Sequence, residues 1–241
     1  MSQSLPSGSL SGKTALVTGS SRGIGADTVR YFAEAGANVV INFRNKAPRA
    51  EKLATQLREL GVEALVVGAD LTDPESVTAM FDEVQRTFGG LDILVLNAGM
   101  LGSLSSVPAI DPKEMAQVLT LNVSAQAALI AAFDPMLKKA KSARVIGVTS
   151  SVGRKPRAYW GLYGASKAAF ETLLGAYGDE MAEISGIRTA IVDPGATRTK
   201  MRARAYPGED PKSVKDPQIV ADRIVALAID GFEPGHFERV A

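Results

Sequence analysis

A chain of 241 residues, 46% apolar and 22% charged, can bury a sizeable core in one large domain. A net charge of +1 favours neither nucleic acid nor an anionic membrane as partner. The absence of cysteine excludes disulfides, thiolate catalysis and cysteine-based zinc sites, and it fits a reducing compartment.

The opening stretch, MSQSLPSGSLSG, has no basic n-region and no apolar h-region, so it is expected to be a polar leader and not a secretory signal. The expected boundaries are a flexible leader over 1–11 and a single domain over 12–241. A cytoplasmic location follows as the default. Short apolar runs then alternate with helical patterns. The runs lie at 14–18, 39–43, 62–67, 91–96, 143–149 and 187–192; the helical stretches lie near 23–36, 47–60, 74–88, 112–139, 162–185 and 216–230. This alternation predicts an α/β fold, a doubly wound parallel sheet of six or seven strands with helices on both faces. Asp73-Pro74, Asp111-Pro112 and Asp216-Pro217 read as N-cap plus first-turn proline. Residues 93–110 carry no charge, but Asn97, glycines, serines and Pro108 interrupt them, which argues against a membrane span. The polar, basic stretch 198–215, with Pro207 and Pro211, breaks the rhythm and is expected to be a long loop or lid. A short last strand fits at 236–240.

The first strand runs directly into TGSSRGIG, residues 18–25, which opens a helix. Gly19, Gly23 and Gly25 let the backbone turn tightly, and the N-terminal N–H groups of the helix suit a pyrophosphate. Ser21, Arg22 and Ile24 lie in the same turn. A dinucleotide site for NAD places an acid at the end of the second strand. Here that strand ends INFRNK, with Phe43 at the position of the acid and Arg44 and Lys46 after it. Arginine pairs with a 2′-phosphate where a carboxylate repels it, so Arg22 and Arg44 point to NADP(H). In LYGASKAAF, Tyr163 and Lys167 stand one helical turn apart. Alone, that pair reads as an ordinary exposed lysine beside a half-buried tyrosine.

Taken together, these motifs resemble the short-chain dehydrogenase/reductase family over roughly residues 11–200, on the 3-oxoacyl-reductase-like side. TGSSRGIG resembles the cofactor turn. Asp70 in GADLTD, with Leu71 beside it, resembles the adenine-contacting acid. Asn97, Ala98 and Gly99 resemble the NAG motif, and Asn122 in LTLNVSA falls at the active-site asparagine. Ser150 stands thirteen residues before Tyr163, and Gly153 follows it, as for the family's serine; Ser151 is the rival. Pro194, Gly195, Thr197 and Thr199 in PGATRT resemble the segment over the nicotinamide end.

The resemblance implies hydride transfer between NADP(H) and a carbonyl or alcohol carbon. It makes Asn122, Ser150, Tyr163 and Lys167 catalytic, with Tyr163 as general acid/base and Ser150 a donor to the substrate oxygen. Lys167 would lower the Tyr163 pKa and hold the nicotinamide ribose, and Asn122 would hold a water that returns protons. The residues of the motifs above would bind the cofactor. No metal is expected. His236, the single histidine, lies near the end of the chain and gives no hydrolase triad. Asp92 and Asp193, at strand ends, are expected to be structural. The ending EPGHFERVA lacks the Gly-rich tail of many tetrameric members, so a homodimer is expected first and a homotetramer second. Leu101, Leu104, Val152, Trp160 and Met201 would form an apolar wall for a bulky ketone or a 3-oxoacyl thioester. The lid cations Arg198, Lys200, Arg202 and Arg204 would suit an acidic substrate. The alternative is a non-enzymatic dinucleotide-binding or regulatory protein, against which the four intact catalytic-type residues argue.

Overall fold

The computed structural model describes residues 8–241. Seven strands form one parallel sheet in the order β3-β2-β1-β4-β5-β6-β7. The strands are β1 (Thr14–Val17), β2 (Asn38–Phe43), β3 (Ala64–Gly68), β4 (Ile93–Leu96), β5 (Arg144–Val148), β6 (Arg188–Asp193) and β7 (His236–Arg239). The upper strand count expected from the sequence is the one observed. Strand order reverses between β1 and β4, which opens a crevice beyond their carboxyl ends.

Both sheet faces are covered, which is why the strands read as unbroken apolar runs. In β1, Ala15 and Val17 join one core and Leu16 the other. The first core is closed by α1 (Gly23–Glu34), α2 (Ala47–Arg58) and α9 (Pro217–Asp230), through Phe32, Leu57 and Ile224. The second is closed by α3 (Pro74–Phe88), α5 (Ala125–Lys139) and α7 (Gly161–Ala182), through Met80, Phe133 and Phe170, with α4 (Pro112–Leu119) ahead of α5 in the chain. Three helix starts follow their sequence signals: Asp73 accepts from Glu75 and Ser76 N–H, Asp111 from Glu114 N–H, and Asp216 from Gln218 N–H. Asp92 is structural as expected, accepting from Lys13 Nζ at 2.7 Å and Thr14 N–H at 3.0 Å.

Three differences from the sequence reading matter for the site. The helix expected over 112–139 is broken by a π-turn at Thr120–Ser124, which turns Asn122 into the interior at 1% exposure. By length and composition this run is apolar enough to cross a membrane; here it lies on the sheet, with Leu129 and Phe133 in the core. The stretch 198–215 is not a plain loop. Thr199 accepts from Arg202 N–H and starts α8 (Lys200–Ala205), and a 3₁₀ turn follows at Pro211–Ser213. Of the expected leader, residues 1–7 lie outside the described residues; Leu10 is already buried, its N–H bonded to the Ala35 carbonyl at 2.9 Å.

The helix α7 lies unusually close to the sheet. A Cβ on Gly147 of β5 would strike Leu174 and come within 2.6 Å of Phe170 Cζ, and one on Gly178 would strike Thr189 of β6. The missing side chains set the height of α7, and so of Tyr163 and Lys167, above the carboxyl end of β5. Gly147→Ala is expected to destabilise the fold by about 1–3 kcal/mol through overpacking, read as a lower urea midpoint; an unchanged midpoint would show that α7 yields freely.

Candidate active site

The crevice starts at the Gly-rich turn between β1 and α1. No side chain caps α1, whose N-cap position is Arg22, so its first N–H groups face the crevice without an intrahelical partner. A Cβ on Gly25 would lie 2.6 Å from Asn97 Nδ2 and 2.9 Å from Ser20 Cα, so only glycine lets the turn pack on the NAG segment. The turn is held by two residues that the motif reading passed over. Asn42 of β2, 2% exposed, accepts from Gly19 N–H at 3.0 Å and donates to the Ala69 carbonyl at 3.3 Å. Thr18 Oγ1 accepts from the N–H groups of Asn97 and Ala98, both at 3.0 Å. Asn97 Nδ2 returns a bond to the Thr18 carbonyl at 2.8 Å. The signal for Asn42 was present as a lone polar residue within the apolar run VVINF.

At the end of β2 the side chain is Phe43, packed toward Gly68, and no acid stands there. Arg44 is exposed and lies 4.0 Å from Asp70. Two bonds from Thr72, one from its hydroxyl and one from its N–H, hold the Asp70 carboxyl below its ordinary range, with Arg44 adding to them. Leu71 is buried beside it. Arg22 is exposed and Ser21, Gly23 and Ile24 half-buried, all in the turn as expected. These features suit a dinucleotide carrying an extra phosphate: uncapped N–H groups for the pyrophosphate, and cations without an acid at the β2 end.

The chemical end is built on β5, the π-turn and α7. Asn122 Oδ1 accepts from Met100 N–H at 2.8 Å, and Nδ2 donates to the Met100 carbonyl at 2.9 Å and Ser166 Oγ at 3.0 Å. A Cβ on Gly99 would lie 3.2 Å from Asn122 Oδ1 and 3.5 Å from Lys167 Nζ, so the two meet over that glycine. Lys167 is 5% exposed and donates to the Val148 carbonyl at 2.9 Å; burial pulls its pKa down to about 8, while Glu171 opposes that fall. Ser150 follows β5 at the head of α6 (Ser151–Arg154), half-buried, and its hydroxyl has no protein partner among the described residues. Ser151 is the first residue of that helix.

Tyr163 corrects one expectation. Its phenol is not made more acidic: burial, with Asp193 adding to it, pushes the pKa well above the ordinary tyrosine value. Lys167 Nζ lies 5.9 Å from the ring centroid and its bond goes to Val148, so it offsets little of the desolvation. The phenol O–H instead faces Met201 Sδ of α8 at 3.8 Å. Asp193 is buried and accepts from Gly195 N–H at 2.9 Å.

The expected apolar residues gather beneath the lid. Leu101, Val152 and Tyr163 form a buried cluster with Leu104, Trp160 and Ala205 against it, and Met201 closes it. Trp160 packs on Tyr163 at 6.0 Å and on Tyr206 at 5.7 Å. Tyr206, absent from the sequence reading, accepts a bond at 2.6 Å from Arg157 and lies beneath the Arg202 guanidinium. Arg202 is paired with Glu209 and Arg198 with Asp216. Thr199 caps α8, with Cγ2 3.7 Å from where a Gly23 Cβ would sit, beside the Gly-rich turn. Thr197 is buried with its hydroxyl turned back to the Pro194 carbonyl at 2.8 Å.

A short chain dehydrogenase family model matches residues 13–210. The chain therefore belongs to the short-chain dehydrogenase family. It is similar to the oxidoreductase YciK of Escherichia coli K12, 33% identical over 86% of this chain and 82% of that one. The solved yciK structure superposes with a TM-score of 0.91 at 31% identity, covering 98% of each chain. The chain is also 34% identical to 3beta-hydroxysteroid dehydrogenase 1 of Eggerthella lenta, over 92% of this chain and 82% of that one. A short chain dehydrogenase of Burkholderia cenocepacia J2315, solved in complex with NADP, superposes with a TM-score of 0.86 at 31% identity, covering 96% and 97%.

The Asn42 bridge is testable without a substrate. Asn42→Ala leaves the Gly19 N–H and the Ala69 carbonyl without their partner, and should cost about 1–3 kcal/mol in urea unfolding. NADPH affinity should fall with it as the turn loosens; a variant matching wild type in both would remove Asn42 from this role.

Proposed function

We propose that the chain is an NADP(H)-dependent carbonyl reductase, moving a hydride between the nicotinamide and a ketone or secondary alcohol. The observation that carries this reading is the buried Tyr163 phenol, held protonated at the mouth of the crevice with Lys167 behind it and the unpartnered Ser150 hydroxyl on the preceding strand end. When bound, NADPH supplies the hydride. The chain's part is to orient the carbonyl and to deliver one proton. Ser150 Oγ donates to the carbonyl oxygen as negative charge grows on it. Tyr163 gives its proton to that oxygen. The raised pKa keeps the phenol in the protonated, donor form at neutral pH. Lys167 restores charge balance beneath the ring, and the Asn122 bonds keep the 99–100 backbone beside it.

NADP(H) is favoured over NAD(H) by Phe43 in place of an acid, by exposed Arg22 and Arg44, and by the NADP held by the Burkholderia relative. The lid supports a bulky, largely apolar ketone. Of the lid cations Arg198, Lys200, Arg202 and Arg204, two are already paired with acids, which weakens the case for an acidic or carrier-linked acyl substrate. The steroid named for the Eggerthella relative is a bulky apolar substrate of that kind. We also propose a homodimer, because Ala116, Ala128 and Ala131 of α4–α5 and Leu173 of α7 leave small apolar side chains exposed. The cysteine-free composition supports a cytoplasmic location.

The direct test follows NADPH absorbance across a panel of aromatic, alicyclic and straight-chain ketones. Tyr163→Phe should lose roughly 100-fold or more in kcat on any substrate turned over by wild type. Equal slow consumption by both proteins on every ketone would end the enzyme reading in favour of a binding protein. Arg44→Asp should weaken NADPH binding about 10-fold or more and leave NADH binding unchanged or tighter; tighter NADH than NADPH binding by wild type would overturn the cofactor assignment.

A further inference from the structure

Glu171 stands two turns beyond Tyr163 and one beyond Lys167 on α7, and is only 9% exposed. A carboxylate buried on an apolar helix face needs a reason. Its two oxygens hold opposite ends of one short segment. Oε1 accepts from Thr149 Oγ1 at 2.5 Å, and Oε2 accepts from Arg154 Nε at 2.6 Å. Thr149 immediately precedes Ser150, and Arg154 ends the helix whose N-cap position is Ser150. The Arg154 guanidinium is stacked 3.5 Å from the Phe237 ring of β7, which fixes the far side of the clamp. A Cβ on Gly153 would come 3.1 Å from Glu171 Oε1, so the turn is pressed against the carboxylate.

We infer that Glu171 is a positioning residue of the active site: it fastens the Ser150 turn to the Tyr163 helix and sets a buried carboxylate one turn from the Lys167 ammonium. The inference rests on the reductase reading only for its effect on turnover. The groups around Lys167 support the electrostatic half. From β5 comes the Val148 carbonyl; from the π-turn, the neutral Asn122; from α7, the Tyr163 and Phe170 rings and Glu171. Arg154 faces Glu171 from α6, and Asp193 at the end of β6 acts on Tyr163. Among these, Glu171 is the acid that raises the Lys167 pKa against burial. The same carboxylate thus bears on two of the four catalytic-type residues: on Ser150 through its neighbour Thr149, and on Lys167 electrostatically.

The test separates this role from plain structural support. Full-length protein labelled with [13C]lysine is titrated by NMR, with the Lys167 signal assigned from Lys167→Met. Wild type should titrate near pH 8. Glu171→Gln keeps the shape and removes the charge, so the midpoint should fall and less than half of Lys167 should be charged at pH 8. Thr149→Val keeps the carboxylate but cuts one arm of the clamp. It should leave the Lys167 midpoint in place and lower kcat several-fold without changing KM for NADPH. A folded Glu171→Gln protein with the wild-type midpoint overturns the inference. Should that variant fail to fold, Arg154→Met decides. Freed of its competing cation, Glu171 should raise the Lys167 midpoint, and an unmoved midpoint again overturns the inference. The lysine titration needs neither substrate nor cofactor, so a failed ketone panel with a shifted midpoint would sink the reductase reading alone.

Discussion

A lysine ammonium buried at the carboxyl end of β5 is the constraint around which this site is organised. Taking an unpaired charge out of water costs on the order of several kcal/mol, and the surroundings of Lys167 offset that cost piece by piece. The Val148 carbonyl accepts its bond, Glu171 lies one turn on, and Asn122 meets it over Gly99. Each partner comes from a different element, so the lysine fixes the relation between β5, the π-turn and α7. The close seating of α7 on the sheet, at Gly147 of β5 and through its own Gly178, is what brings those elements into range.

The compensation is incomplete. Lys167 remains easier to deprotonate than a free lysine, and Tyr163 remains harder. Burial acts in opposite directions on the two because it penalises charge, whichever sign the charge has. In the proposed reduction, a phenol that holds its proton beside an ammonium that releases its own readily would deliver protons to a nascent alkoxide. The lid adds to this environment. Met201, Trp160 and Ala205 remove water from the phenol, and Tyr206, tied to Arg157 and stacked under Arg202, holds the lid down by polar contacts at its rim.

Much of this was legible in the residues. The alternation of apolar runs and helical patterns marked β1 to β6 and five of the helices to within a few residues. The three Asp-Pro starts were read correctly because capping is a local matter: a carboxylate reaches N–H groups two or three residues away. The Gly-rich turn, Phe43 at the end of β2 and the Tyr163–Lys167 spacing were equally local. Asn42, Thr18 and Glu171 were not found, since their partners lie 17 to 80 residues away in sequence. A polar residue inside an apolar run marks such a position but does not name its partner. The π-turn at Asn122 was invisible for a related reason: one widened turn leaves the helical periodicity nearly intact.

The sequence by itself determined the element order, the turn chemistry and the candidate reactive side chains, because each follows from neighbours along the chain. Only the tertiary structure decided their electrostatic state. The sequence placed an ammonium beside a phenol and so suggested an acidified tyrosine; burial reversed that. Desolvation depends on everything packed around a group from other elements, and for Tyr163 it outweighs the one charge that sequence spacing puts nearby. The same holds for the lid: its composition read as a polar loop, and Thr199 as cap, together with Tyr206 against Trp160, made it a short helix closed over the phenol.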